Sequence, residues 1–107
     1  MSAFDLGAVS VFREVAVDKA QALKPLEEAA EVFGAFQLLD EAPMVEVATS
    51  GAVPDGLIAA RRGKLVDECA DVCQAVANLL AALGVDGDEW AAAVGRCERR
   101  NRDRGRY

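Results

Sequence analysis

The chain contains no histidine. A Ser-His-Asp triad, a Cys-His nucleophile pair and a His-ligated zinc are thereby excluded, and any chemistry has to come from carboxylates, cationic side chains, hydroxyls, amides, thiols or a hard metal ion. Aromatic residues are also scarce: four Phe, one Trp and one Tyr stand among 107 residues rich in Ala, Val and Leu, a composition that favours close helix packing over a β-sandwich. No G-x-x-x-x-G-K-[ST] segment is present, which excludes a Walker-type ATPase. Uncharged runs such as residues 75–85 fall short of the about 20 apolar residues that a bilayer span needs, so no membrane association is expected. Cys69, Cys73 and Cys97 form no C-x-x-C pair, and Asp5 stands where a secretory leader carries positive charge. The chain therefore reads as cytoplasmic with reduced thiols, and Cys69 and Cys73, one helical turn apart, are expected to pack as small hydrophobes.

What is present is organised by helical periodicity. The length suits a single domain spanning residues 1–107. Residues 5 to about 22 place Leu6, Val9, Val11, Phe12, Val15 and Ala16 at three-four spacing, which predicts a first helix. Pro25 reads as the first turn of a second helix that runs to about Asp40 or Glu41, since its missing N–H is harmless there. Residues 42–55, punctuated by Pro43, Ser50, Gly51 and Pro54, read as a loop in which Val45-Glu46-Val47 could be extended. Residues 57–83 form the longest periodic segment, a helix of about 40 Å ended by Gly84. Asp86-Gly87-Asp88-Glu89 resembles a capping box that opens a fourth helix through Trp90, Val94 and Cys97. The expected fold is all-α, a four- to five-helix bundle.

An internal echo carries the most information. Lys24-Pro25-Leu26-Glu27-Glu28-Ala29-Ala30-Glu31-Val32 aligns with Lys64-Leu65-Val66-Asp67-Glu68-Cys69-Ala70-Asp71-Val72, forty residues on. With Glu68 at 0° and 100° per residue, Leu65, Cys69, Val72, Val76, Leu79 and Leu83 fall in an arc from about 20° to 100°. Glu68 thus borders an apolar seam, with Asp71 beyond it. Glu28 and Glu31 stand in the same relation to a seam of Ala29, Val32, Phe33, Phe36 and Leu39. If the helices pack antiparallel through these seams, four carboxylates converge at one rim. Such a group repels itself unless a cation joins it, and all-oxygen ligands suit Mg²⁺, with Mn²⁺ also possible.

The two acid pairs together with an Arg- and Asn-rich tail resemble the MazG-like, all-α nucleoside triphosphate pyrophosphohydrolases, over residues 23–105. The resemblance implies a homodimer or homotetramer whose bundle is completed by oligomerisation. It implies Glu28, Glu31, Glu68 and Asp71 as Mg²⁺ ligands and catalytic carboxylates, and hydrolysis of a nucleoside triphosphate to monophosphate and pyrophosphate. Within the tail, Asn101 and Arg104 match the positions that approach the phosphates. The thirty-six residues between Glu31 and Glu68 exceed the spacing of compact members.

Other assignments stay open at this level. Lys24 and Lys64 could contact phosphate, or pair with the acids four residues on, at a few tenths of a kcal/mol. Asn78 shares the stripe of Glu68 and Asp71 and could reach a sugar or base, or serve an interhelical hydrogen bond at a subunit contact. Phe33, Phe36 and Trp90 could stack on a base, but at helical spacing read as core. A non-catalytic helical oligomerisation module accounts equally well for the seams, though not for the acids that border them. The tail, residues 96–107, holds six basic and two acidic side chains, so it carries +4 and the remainder −10 of a net −6. That acidic body opposes nucleic-acid binding, which is not expected.

Overall fold

The computed structural model describes residues 3–49 and 56–107. Three helices follow in order, α1 (Lys19–Ala48), α2 (Leu57–Ala82) and α3 (Gly87–Asp103), and the described residues contain no strand. The all-α expectation holds at that level.

α1 starts and ends away from the positions predicted for it. Asp18 is its N-cap, with the carboxylate accepting from the Gln21 N–H at 2.8 Å, so the first turn is satisfied seven residues before Pro25. Pro25 and Pro43 both lie inside the helix, and neither ends it. An internal proline strands the carbonyl four residues back and pushes on it. The Pro43 turn is instead braced from a neighbouring helix: Arg61 Nη1 of α2 donates to the Leu38 carbonyl, one residue before the stranded carbonyl of Leu39, at 2.6 Å and lies 3.4 Å from Glu41 Oε1. Ala42, with no exposed surface, locks the same turn against α2. Residues 42–48, including Val45-Glu46-Val47, are therefore helical and not loop; Ser50, Gly51 and Pro54 lie outside the described residues.

Residues 5–18 are not a helix either. Val9, Val11, Val15 and Val17 are stiff at χ1, and Gly7 sits at φ 79°, a left-handed conformation. The segment lies as an extended strap whose backbone is held by α2. Gln74 Nε2 donates to the Ser10 carbonyl at 2.7 Å, and the Phe12 N–H donates to Asn78 Oδ1 at 3.1 Å.

The later helices match their predicted limits because their termini carry local chemistry. Gly84, at φ 73°, closes α2: its N–H reaches the Ala81 carbonyl at 3.0 Å and the Val85 N–H reaches Leu80 at 3.0 Å. Asp86 caps α3 by accepting from the Glu89 N–H at 2.8 Å.

α1 and α2 run antiparallel, since Arg61 meets Leu38 and Glu41 while Asp71 stands against Glu28. They do not pair through their apolar seams. The buried residues are Ala35 and Ala42 on α1 and Glu68, Ala75 and Asn78 on α2, so small side chains and the acidic stripe face the partner helix. Phe33, Phe36 and Leu83 are at least half exposed, Cys69 is exposed, and Leu65, Val72, Val76 and Leu79 are half-buried. The expectations that Phe33, Phe36 and Cys69 pack in a core are overturned within this chain.

α3 packs against neither α1 nor α2, and Trp90 and Val94 on its apolar face stay open to solvent. The four- to five-helix bundle is thus not formed by one copy, which has a single packed pair and a projecting arm. The radius of gyration is 18.0 Å, against about 13 Å for a compact chain of this length. Its accessible surface is 8192 Å², about 2,500 Å² above the ~5,700 Å² usual for a monomer of this mass.

Candidate metal centre

The α1–α2 pairing sets the acids face to face. Glu28 from α1 and Glu68 and Asp71 from α2 bring one carboxylate oxygen each to within 4.8 Å of one another. Glu31, from the next turn of α1, stands close enough to Glu28 and Glu68 for both to raise its carboxyl. The i, i+3 spacing places each pair on one side of its helix, and the antiparallel register points the pairs at each other. Glu68 is buried, Glu28 half-buried, and Glu31 and Asp71 exposed, so the group lies at the edge of the helix interface.

Glu68 is the centre of the group and is only 5% exposed. Its Oε1 accepts from Lys64 Nζ at 2.7 Å, while its Oε2 is buried with no hydrogen-bond partner. A buried carboxylate oxygen without a donor is costly, and such atoms are rare in folded proteins. The Lys64 ammonium beside Glu68 holds that carboxyl below the usual range despite its burial. Glu31 moves the other way: hydrogen bonding to Glu68 and Glu28, and repulsion from both, raise it. Lys64, with Lys24 further off and paired to Glu27, does not balance four carboxylates, so the cluster is deficient in positive charge. The donor set fits a hard divalent cation, because all four side chains offer carboxylate oxygen and Oε2 of Glu68 lacks any other partner.

Lys64 is therefore engaged with Glu68, and it is raised by that contact. Lys24 pairs with Glu27 at 3.1 Å, not with Glu28. Asn78 is 3% exposed and secures the N-terminal strap within its own chain. Asn101 and Arg104 are not brought to the acids within one copy. Asn101 accepts from Arg106 Nη1 at 2.9 Å and contacts Cys97 Sγ at 3.5 Å, on an arm that touches neither other helix. Cys69, Cys73 and Cys97 are free thiols outside the site.

A cavity of about 510 Å³ adjoins the cluster, lined by Glu28 and Asp71 and extending to Lys24, Gln74, Asn78 and Phe12. Sequence reasoning did not identify Gln74 or Phe12. Gln74 was findable, being three residues after Asp71 and four before Asn78 on one helical face. Phe12 was not, since its place depends on hydrogen bonds spanning more than sixty residues. No protein-family model, curated protein or solved structure matches the chain. No described helix is long and apolar enough to cross a membrane.

Proposed function

We propose that this protein is a Mg²⁺-dependent hydrolase of nucleoside triphosphates, releasing nucleoside monophosphate and pyrophosphate in the manner of the MazG-like enzymes. The observation that carries the reading is the buried, partnerless Oε2 of Glu68 within a set of carboxylate oxygens less than 4.8 Å apart. Glu28, Glu68 and Asp71 would hold the ion, with Glu31 beside them; Mn²⁺ fits the same donors. When bound, the ion supplies Lewis acidity and neutralises phosphate charge.

The chain's own residues supply the rest. Glu31 lies outside the three-oxygen set but beside it, and Glu68 and Glu28 raise its carboxyl, which suits its carboxylate to take the proton of an attacking water. Lys64, at the surface end of Glu68, is in position to exchange its ion pair for a phosphate oxygen. Asn78 faces the adjoining cavity as a candidate contact for the nucleoside.

Oligomerisation, as a homodimer or homotetramer, belongs to the same proposal. The surplus of about 2,500 Å² exceeds the ~800 Å² that each partner contributes to a standard interface. The exposed seam residues Phe33, Phe36 and Leu83 and the apolar stripe of α3 are the surfaces a second copy would cover. In that assembly the arm of one copy would carry Asn101 and Arg104 to the acids of another, a +4 tail against a −10 body. The same open seams favour a second reading, a non-catalytic helical oligomerisation module. The two part on Mg²⁺. Purified protein incubated with nucleoside triphosphates and Mg²⁺ should release pyrophosphate, and Glu68→Gln or Asp71→Asn should abolish release with the helical circular dichroism intact. Full activity in both variants sinks the hydrolase.

A further inference from the structure

The cavity runs from the acids along α2 to the N-terminal strap. Asp71, Gln74 and Asn78 stand on successive turns of one face, about 10 Å from first to last, with Phe12 of the strap across from them. Its volume of about 510 Å³ lies within the ~300–1,000 Å³ of small-molecule sites. The strap wall is fastened at two points, by Gln74 Nε2 on the Ser10 carbonyl and by Asn78 Oδ1 on the Phe12 N–H.

Those bonds decide the orientation of Asn78. A backbone N–H can only donate, so Asn78 has to present its oxygen to Phe12, and Gln74 Nε2 donates to that same oxygen at 3.0 Å. The NH₂ of Asn78 is what its amide has left to offer. The fastening holds the Phe12 backbone at the cavity wall, and its side chain there remains 60% exposed. An aromatic side chain left uncovered on a cavity wall offers a face on which a flat ring can stack.

We infer that the strap and the Gln74–Asn78 turn of α2 form the nucleoside end of the site, for a nucleobase that stacks on Phe12 and offers a carbonyl acceptor to the Asn78 NH₂. This rests on the acid cluster being the phosphate end, since it aims the phosphate chain at Glu28 and Asp71. The nucleobase class is then chosen by a segment outside the helix pair.

Phe12→Ala removes the ring and keeps the N–H that binds Asn78, so the strap stays fastened. The full chain would be titrated calorimetrically with nucleoside 5′-monophosphates, and separately with inorganic tripolyphosphate plus Mg²⁺. Phe12→Ala should weaken monophosphate binding about 5- to 150-fold, as loss of a base–aromatic stack does, while Phe12→Trp restores it. Tripolyphosphate binding should be unchanged in both variants. Equal monophosphate affinity in the wild type and Phe12→Ala, or no monophosphate binding by the wild type, overturns the inference and leaves the acid site standing. Failure of tripolyphosphate to bind with Mg²⁺ overturns the acid site instead, and with it the direction assigned to the phosphate chain.

Discussion

Adding Mg²⁺ to the ion-free protein should raise its melting temperature, by an amount set by the cluster's electrostatics. Of the four carboxylates only Glu68 is ion-paired among the described residues, to Lys64, while Lys24 acts on Glu28 and Glu31 from its pairing with Glu27, and Oε2 of Glu68 is buried with nothing to bond. A cation bound there acts on the folded chain alone, because residues 28 and 68 come together only when α1 and α2 pair. At a hundred times the dissociation constant, mass action adds about 2.7 kcal/mol to folding. For a domain near 100 residues, 1 kcal/mol moves the midpoint by about 4–8 °C, so a rise of roughly 10–20 °C is expected. Screening of the carboxylates by salt would also stabilise, so the control is NaCl at equal ionic strength. Glu31→Gln separates the effects further: relieving repulsion should stabilise the ion-free protein while shrinking the Mg²⁺ response. Scanning calorimetry reads both. A midpoint that responds to Mg²⁺ and Mn²⁺ no more than to matched NaCl refutes the metal centre and leaves the oligomerisation module.

Sedimentation equilibrium should give a mass at least twice 11.3 kDa, and Phe36→Glu on the open α1 seam should lower it; an unchanged monomer rejects the assembly. Arg61→Ala removes the bond to the Leu38 carbonyl in the turn before Pro43, and urea unfolding should show a loss of about 1–2 kcal/mol, with faster amide exchange at the end of α1. Asp86→Ala deletes the α3 cap and should cost that helix about 1 kcal/mol, visible as faster exchange at the Glu89 amide with the α1–α2 pair unaffected. Equal exchange at Glu89 in the two proteins would reject the cap.

The sequence by itself determined what depends on neighbours along the chain. The Gly84 stop, the Asp86 cap and the span of α2 were legible because a helix end is satisfied within a few residues of itself. The i, i+3 acid pairs were legible for the same reason, because helical spacing puts each pair on one side. What the tertiary structure decided was non-local. Packing carries α1 through Pro43, where Ala42 is buried and Arg61 reaches across from α2, and the amides of Gln74 and Asn78 fasten as a strap an N-terminal segment whose valines and left-handed Gly7 already disfavour a helix. The choice of face was also made in three dimensions: an amphipathic pattern shows that a seam will be buried, but not against what. Here the two helices meet through alanines and Glu68, which draws Glu28, Glu31 and Asp71 together at the edge of the pair and leaves Phe33, Phe36, Cys69 and Leu83 of the apolar seams exposed.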